Sequence, residues 1–367
     1  MIKYLGSKRR LVPVLGRMVE ASGAATALDL FTGTTRVAQE FCRRGAHVTA
    51  VDTATYSQVL AQCFVELDQA TVDIDEVSAA LAHLSSLPPV DGYVTETFCR
   101  TSRYFHPDNG VRIDAIRAGI DEHYGDSWMR PVLLSSLLLA ADAVDSTVGL
   151  QMAYLKQWAP RALRALQLQV PAFTSGTGRA VRDDALAAAD RLPRVDFAYL
   201  DPPYNQHRYF ANYHVWETLV RWDAPDHYGV ACKRLDTRDA ATASRFNRRR
   251  EMPVALAEVI AAVNAAVVVV SFSDEGFVPL PDLVEMCRAR GHPVEVLAFD
   301  QRRHVGAVIG IHSPSGRKVG TPGRTRNTEY LVLSGPKSQL DRIAAAAAVA
   351  GPPDPQRNQG RTATMAP

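Results

Sequence analysis

The sequence predicts an α/β fold built on a mainly parallel sheet covered by helices, and three observations lead to this prediction. A strand, a glycine turn, a helix and a second strand follow one another between Thr26 and Asp52. Four further apolar runs with strand character come after residue 190. The 367 residues, 47% of them hydrophobic, are enough to bury one large core together with a modest inserted part.

The first part of the sheet is predicted from residues 26–52. The apolar run of residues 26–31 predicts a strand, and the run breaks at Gly33 before a helix expected over residues 35–44. A second strand is expected over residues 47–51, and it stops at Asp52. A strand, a helix and a strand of these lengths form a parallel pair, because parallel neighbours need a crossover connection.

The remaining elements divide the sheet in sequence. Residues 53–179 have a mainly helical pattern without comparable strands, so they form the predicted insertion. The main domain would then comprise residues 1–52 and 180–340. Residues 351–367 contain Pro, Gln and Arg without periodic apolar residues, so this tail is expected to be disordered. The later elements are expected at residues 195–200, 267–272, 294–299 and 329–333 for strands, and at residues 254–265 for a helix.

Composition argues against several classes of protein. No stretch approaches the roughly 20 uninterrupted apolar residues of a membrane span, and the basic first ten residues lack the apolar block of a signal peptide. We therefore expect a cytoplasmic protein without a membrane partner. The cysteines are odd in number and scattered, which favours neither a disulfide framework nor a thiolate zinc site. They are Cys42, Cys63, Cys99, Cys232 and Cys287.

The most informative segment for function is Tyr199-Leu200-Asp201-Pro202-Pro203-Tyr204-Asn205, where an apolar strand ends in a carboxylate, two prolines and an aromatic ring. Consecutive prolines have fixed φ angles and no N–H, so the carbonyl of Pro202 can accept a hydrogen bond from a substrate. Asp201 is a second acceptor beside it, and Tyr204 can stack on a planar base. The segment indicates chemistry on an exocyclic amine, although a turn that only ends a strand would have the same residues.

A second group of residues indicates a nucleoside site. The turn Asp29-Leu30-Phe31-Thr32-Gly33-Thr34-Thr35 follows the first strand, and Gly33 allows its backbone to approach a ligand closely. Asp52 ends the second strand, where a carboxylate can accept both hydroxyls of a ribose. Because the turn has one glycine instead of three, a pyrophosphate cofactor is disfavoured. A nucleoside without phosphates, such as S-adenosylmethionine, fits better.

The net charge of +2 conceals two arginine-rich segments. Residues 233–250 hold seven basic and two acidic residues, and residues 301–328 hold six basic residues and no acidic one. A run of charges is often only a solvated surface. Two such runs after the signature segment favour contacts with nucleic-acid phosphates.

Together these segments resemble the D12 class of DNA adenine-N6 methyltransferases, which includes the Dam-type enzymes. The resemblance covers Met1 to about Leu333, and it rests on the opening run Lys3-Tyr4-Leu5-Gly6-Ser7-Lys8, on the turn at residues 29–35, on Asp52 and on residues 201–204. The continuation at residues 205–218 is similar to the branch found among restriction-modification methylases. This resemblance implies a Rossmann-like methyltransferase fold with a mostly helical insertion that is a candidate target-recognition region.

The resemblance also implies S-adenosylmethionine as the methyl donor and no metal. Asp52 would hold its ribose. Asp184 is favoured over Asp183 as the contact of its adenine amino group, and the choice stays open. The other implied cofactor contacts are Lys3, Tyr4, Gly6 and Lys8 at the methionine end, with Asp29, Phe31 and Gly33 beneath it. One residue departs from the family pattern, because Thr35 stands where a second small residue is usual.

The implied reaction is methyl transfer to the N6 amine of an adenine flipped out of double-stranded DNA. Asp201 and the Pro202 carbonyl would accept from the amine, Pro203 would keep the turn rigid, and Tyr204 would stack on the adenine. Both recognition by the insertion and recognition by residues 233–250 stay open. The residues expected to contact DNA are Arg208, Asn212, Tyr213, His214, Lys233, Arg234, Arg248, Arg249, Arg302 and Arg303.

Other functions stay open alongside this one. A methyltransferase acting on RNA or on a protein amide would use a similar signature, because those substrates are also planar and carry an amine. A catalytically silent DNA-binding module is disfavoured, since it would have lost site residues that are present here. A nicotinamide-dependent oxidoreductase is disfavoured by the missing glycines. The restriction-modification branch implies a cognate restriction endonuclease as a candidate partner besides DNA.

Overall fold

The computed structural model describes residues 2–3, 8–206, 208–302, 311–312, 318–320 and 326–348. Three predicted site residues, Tyr4, Gly6 and Arg303, lie outside the described residues, as does the predicted disordered tail at residues 351–367.

Eleven strands are present in the described part of the chain, and seven of them form one sheet. Their bounds are β1 (Thr26–Leu30), β2 (His47–Asp52), β3 (Gly178–Arg182), β4 (Val195–Leu200), β5 (His227–Tyr228), β6 (Lys233–Arg234), β7 (Ala265–Ser273), β8 (Val294–Arg302), β9 (Ile311–His312), β10 (Lys318–Gly320) and β11 (Arg326–Ser334).

The order of the large sheet is β3-β2-β1-β4-β7-β11-β8. Neighbours from β3 to β7 are parallel, and β11 runs antiparallel to both β7 and β8. The chain proceeds from β1 to β2 on one side and returns to β4 on the other, so a crevice opens at the carboxyl ends of β1 and β4. This topology confirms the predicted α/β fold with a mainly parallel, helix-covered sheet.

Twelve α-helices accompany the strands in the described residues. Their bounds are α1 (Val12–Ser22), α2 (Arg36–Arg43), α3 (Thr55–Ala61), α4 (Ile74–Ser86), α5 (Pro107–Tyr124), α6 (Arg130–Ala143), α7 (Ala185–Arg191), α8 (Tyr209–Asn212), α9 (His214–Arg221), α10 (Met252–Ala262), α11 (Leu280–Arg288) and α12 (Lys337–Ala348). None of these helices combines the length and the apolar character that crossing a membrane requires.

Each face of the sheet has its own hydrophobic core, because successive strand side chains point to opposite faces. On β4, Phe197 and Tyr199 pack with α1, α2 and α12 on one face. Ala198 and Leu200 pack with α7, α10 and α11 on the other. Both faces of the central strands are therefore buried, which explains why these strands are almost wholly apolar.

A third hydrophobic cluster forms a helical layer beside the sheet. It contains residues of α3, α4, α5 and α6, and also Trp216 and Leu219 of α9. Residues 53–179 are mainly helical, as their pattern predicts, although β3 begins within them at Gly178. Because α9 lies after the signature segment in sequence and packs on these helices, the helical layer draws on two parts of the chain. The domain boundaries given above stay a prediction.

Candidate active site

A cavity of about 460 Å³ opens at the carboxyl ends of β1, β2 and β4. Its wall contains the turn after β1, the end of β2, the start of α7 and the signature segment after β4. Residues 242–247, which precede α10, complete the wall. The two groups of residues that the sequence singled out therefore line the same cavity, although about 170 residues separate them in sequence.

The turn after β1 is held by Asp29, which is 1% exposed. Its Oδ2 accepts hydrogen bonds from Thr32 Oγ1 at 2.7 Å and from the backbone N–H of Ala38 at 3.1 Å. Burial raises the pKa of Asp29 to about 7, and the bond from Thr32 partly opposes this rise. Asp29 thus joins the end of β1 to the first turns of α2.

Three residues of the turn have positive φ angles: Phe31 (74°), Gly33 (54°) and Thr35 (63°). This conformation is ordinary for glycine and strained for Phe31 and Thr35. The Phe31 ring meets Phe246 edge to face at 5.0 Å. Thr35, the residue that departs from the family pattern, is buried, and its Oγ1 accepts from Gln39 Nε2 at 2.9 Å. Strained backbone of this kind is frequent at ligand sites.

Asp52 connects the end of β2 with the turn. Its Oδ2 accepts from the backbone N–H of Gly33 at 2.9 Å, and its Oδ1 accepts from that of Ala54 at 3.0 Å. Burial raises the pKa of Asp52, while these hydrogen bonds work against the rise. Because a carboxylate oxygen can accept more than one bond, Asp52 keeps acceptor capacity toward the cavity.

Asp183 and Asp184 both line the cavity. Asp184 caps α7, with its Oδ1 accepting from the N–H of Leu186 at 2.9 Å. Asp183 forms an ion pair with Arg191. Each carboxylate has a partner within the protein and both line the cavity, so the choice between them as the predicted adenine contact stays open.

The signature segment begins where β4 ends, and the N–H of Asp201 donates to the carbonyl of Leu30 at 3.3 Å. The Asp201 side chain is 21% exposed, and its Oδ1 lies 3.1 Å from Lys8 Nζ. Burial raises the pKa of Asp201 to about 6, because the opposing effect of the Lys8 charge is smaller. Pro202 is buried, and Pro203 lines the cavity.

Tyr204 is fixed at both its ring and its backbone. The ring lies edge to face against Phe272, with centroids 5.7 Å apart, and the Tyr204 carbonyl accepts from the N–H of Phe277 at 2.9 Å. Lys8 Nζ lies 5.7 Å from the ring centroid. Burial raises the pKa of Tyr204 to about 12. The aromatic ring and the Asp201 carboxylate therefore line one cavity from fixed positions.

One residue of this site, Glu329, is absent from the sequence-based prediction. Glu329 on β11 is 3% exposed and contacts Lys8 Nζ. Ser271 on β7 donates from its Oγ to Glu329 Oε1 at 2.6 Å. The available signal was a carboxylate inside the apolar strand at residues 329–333, which is unusual unless a partner is present.

Lys8 and Lys3, predicted together as cofactor contacts, lie in different places. Lys8 lines the cavity. Lys3 is not among the cavity-lining residues, and its Nζ lies 3.3 Å from Asp142 Oδ2 and 3.0 Å from Asp145 Oδ1. Two carboxylates at the end of α6 hold its ammonium group in this structure, and the contact of Lys3 with the cofactor stays a prediction.

The predicted DNA contacts divide by exposure. Arg208 lines the cavity, Arg248 and Arg249 are exposed, and Lys233 is half-buried. Arg302 ends β8, and its side chain is not described. Four others have buried side chains in this structure, and their contact with DNA stays a prediction. They are Asn212, Tyr213, His214 and Arg234.

The buried four have roles inside the protein. The guanidinium of Arg234 bridges Asp223 and Asp236, with its Nη1 2.6 Å from Asp223 Oδ1. His214 Nε2 lies within hydrogen-bond distance of the carbonyl of Gln151, at 3.1 Å, and burial lowers its pKa to about 3. His214 is therefore neutral at ordinary pH and belongs to the packing of α9. No group of three or more potential metal ligands occurs within the residues that the structure describes.

Comparison with known proteins agrees with this geometry. The chain is 28% identical to modification methylase StsI of Streptococcus sanguinis over 307 residues, which are 78% of this chain and 46% of that protein. It is 33% identical to type II methyltransferase M.NlaIII of Neisseria lactamica over 239 residues, which are 60% of this chain and 70% of that protein. Type II methyltransferase M.FokI of Planomicrobium okeanokoites is 25% identical over 313 residues, which are 80% of this chain and 47% of that protein.

The chain thus spans about half the length of StsI and M.FokI. A sequence model of the D12 class N6 adenine-specific DNA methyltransferases matches residues 4–247, which include the turn after β1, Asp52 and the whole signature segment. This match extends over most of the chain and confirms the resemblance that the motifs carried. The chain belongs to the D12 class of N6 adenine-specific DNA methyltransferases.

Proposed function

We propose that this protein transfers the methyl group of S-adenosylmethionine to the N6 amine of an adenine flipped out of double-stranded DNA, at a specific sequence. The observation that carries the proposal is the shared cavity. It is lined by Asp201 and Tyr204 of the signature segment together with Asp29, Gly33 and Asp52, the residues proposed for the nucleoside. The known function of the family supports the same reaction.

The cavity residues fit S-adenosylmethionine. Asp52 has acceptor capacity for ribose hydroxyls, and Asp183 or Asp184 would accept from the adenine amino group. The close backbone approach at Gly33 and the ring of Phe31 would enclose the nucleoside. When bound, the cofactor supplies an electrophilic methyl group on a sulfonium. The contacts named here are carboxylate oxygens and apolar surfaces, which suit a positively charged nucleoside without phosphates.

The protein would act mainly by alignment. The lone pair of an adenine amine is delocalised into the ring, so the amine is a weak nucleophile. Asp201 and the Pro202 carbonyl would each accept one N–H, which turns the lone pair toward the methyl donor. Tyr204 would hold the base flat by stacking. After transfer, the surplus amine proton can pass to the Asp201 carboxylate or to solvent.

The surface for DNA is proposed from the remaining basic residues. Arg208 at the cavity, together with Lys233, Arg248 and Arg249, can contact phosphates on either side of a flipped nucleotide. The relatives StsI and M.FokI are named as a modification methylase and a type II methyltransferase. A cognate restriction endonuclease and a cytoplasmic location are therefore part of the proposal.

The proposed activity predicts a defined product. Purified protein incubated with methyl-labelled S-adenosylmethionine and mixed-sequence duplex DNA should yield N6-methyladenine, detected by mass spectrometry of the digested nucleosides. Sequencing that reports N6-methyladenine should then place the product in one sequence context. Label found in RNA or protein under matched conditions, with none in duplex DNA, would support the alternative substrates and contradict the proposal.

Replacing Asp52 with asparagine should weaken cofactor binding. The variant keeps one side-chain oxygen but loses the charge, and a hydrogen bond to a charged group contributes about 1.5–3 kcal/mol. We expect Kd for S-adenosylmethionine, measured by calorimetry, to rise by about 10- to 100-fold. Asp68→Asn, which changes an aspartate that does not line the cavity, is the matched control. An unchanged Kd in Asp52→Asn would remove this residue from the proposed site.

A further inference from the structure

A buried network of polar side chains extends from the signature segment to the antiparallel strand β11. Lys8 Nζ lies 3.1 Å from Asp201 Oδ1 and also contacts Glu329. Ser271 donates to the same Glu329 oxygen at 2.6 Å. The side chains of Lys8 and Glu329 are 6% and 3% exposed, so their charges are removed from bulk water. One ammonium group is thus shared between two carboxylates at the wall of the cavity.

Such a network is a poor way to stabilise a fold. Taking charges out of water costs free energy that ion pairing often fails to recover, and apolar residues of similar size would serve packing equally well or better. Glu329 is buried on β11, between β7 and β8, where the polar residues 326–328 give way to the apolar residues 330–333. It lies two residues before Leu331, the pairing partner of Ser271. A carboxylate here needs an explanation other than packing.

The contacts favour a role in arranging Asp201. Lys8 pairs with Oδ1 of Asp201, and Oδ2 accepts no hydrogen bond from the residues that the structure describes. Because Glu329 also holds the Lys8 ammonium group, that group is fixed independently of Asp201. Ser271 fixes the Glu329 oxygen, so a continuous series of contacts runs from Ser271 through Glu329 and Lys8 to Asp201.

We propose that Glu329 is a positioning residue which, acting through Lys8, orients the Asp201 carboxylate so that one of its oxygens faces the target amine. This inference rests on the proposed function, because it assigns Asp201 as the acceptor of that amine. Ser271 assists by holding Glu329. Neither Glu329 nor Ser271 is among the residues that line the cavity, so both act at a distance from the reacting atoms.

The network also sets the charge that Asp201 experiences. The Lys8 ammonium lowers the pKa of Asp201, and the Glu329 carboxylate raises it. Tyr199 of β4, Tyr204, Tyr209 of α8 and Asp29 of β1 are the other titratable groups whose charged forms interact with Asp201. Removal of the Glu329 charge should therefore lower the pKa of Asp201, whereas removal of the Lys8 charge should raise it.

The decisive variant is Glu329→Gln, which keeps the shape and loses the charge. The pKa of Asp201, followed by carbon-13 NMR of labelled aspartate carboxyl groups and assigned with Asp201→Asn, should fall from its wild-type value of about 6. In methyl transfer, kcat should fall by about 10- to 100-fold with little change in KM for DNA, because a small misplacement of an acceptor has an effect of that size. The acid limb of the pH profile should move to lower pH, since Asp201 must be ionised to accept.

Glu295→Gln is the matched control, because Glu295 is a half-exposed glutamate on β8 that pairs with Lys337 at 3.4 Å. It should leave the Asp201 titration and kcat unchanged. Lys8→Met should move the Asp201 titration in the opposite direction. Ser271→Ala, a milder change that keeps all charges, should lower kcat by about 3- to 10-fold, in line with one lost hydrogen bond. Ser271→Ala therefore tests the Ser271–Glu329–Lys8 network even if a charge variant fails to fold.

The outcomes separate the two proposals. An Asp201 titration that is the same in wild type and Glu329→Gln, or an unchanged kcat in both Glu329→Gln and Ser271→Ala, would overturn the positioning role. A wild-type protein that methylates no DNA would instead count against the proposed function. The NMR titration would still decide whether Glu329 acts on Asp201, because it needs no turnover.

Discussion

Replacing Asp201 with alanine is expected to lower the rate of methyl transfer by about 100- to 1000-fold, the usual cost of removing one group that stabilises a transition state. The Asp201 carboxylate is the proposed charged acceptor of the target amine, and alanine offers that amine no side-chain oxygen. Lys8 would remain paired with Glu329 in the variant, so the protein should keep its fold. Cofactor binding should change little, because Asp52 and the turn after β1 are untouched.

Single-turnover transfer of a labelled methyl group to duplex DNA measures this effect directly. Calorimetry with S-adenosylmethionine and thermal unfolding should be run on the same preparation. Asp190→Ala is a suitable control, because Asp190 is exposed on α7 and does not line the cavity. A transfer rate in Asp201→Ala within a few-fold of wild type would refute the assignment of Asp201 as acceptor.

Replacing Tyr204 with alanine is expected to have the second largest effect. Stacking of a base on an aromatic side chain contributes about 1–3 kcal/mol, so kcat/KM should fall by about 10- to 100-fold. The loss should appear mainly in capture of the flipped base, since Tyr204 lies beside Asp201 and not in the nucleoside part of the cavity. Tyr204→Phe keeps the ring and its contact with Phe272, and should retain most of the activity.

The flipping step can be measured separately from chemistry. A DNA duplex with 2-aminopurine at the target position becomes more fluorescent when that base leaves the stack, and Tyr204→Ala should reduce the increase seen with wild type. Tyr204→Phe is the matched control for the ring. If the increase were equal in Tyr204→Ala and wild type, stacking by Tyr204 would not be what holds the base.

Much of the sheet could be predicted because its strands are buried on both faces and therefore form continuous apolar runs. The first strand was predicted to include Phe31, but β1 ends at Leu30 because Phe31 adopts a positive φ. The strand β3 was not predicted. It is a short edge strand whose residues are half-buried or exposed, so its sequence lacks the apolar run that marks the central strands.

The site could be predicted where its chemistry is local in sequence. Asp201–Tyr204 and the turn after β1 each form a recognisable motif within seven consecutive residues. The bond between Lys8 and Glu329 joins residues 321 positions apart, and no local pattern can indicate such a partner. The basic segment at residues 233–250 contains both buried and exposed arginines. Arg234 is enclosed by Asp223 and Asp236, whereas Arg248 and Arg249 face solvent, and a count of charges cannot distinguish them.

The two lysines of the opening segment, Lys3 and Lys8, are held by different parts of the protein. Lys3 is anchored in the helical layer by Asp142 of α6 and by Asp145, which follows that helix. Lys8 is anchored at the sheet by Asp201 and Glu329. Lys3 and Lys8 are only five positions apart in sequence, so two neighbouring lysines are held by two different parts of the fold. A displacement of α6 relative to the sheet would therefore bear on the lysine that pairs with Asp201.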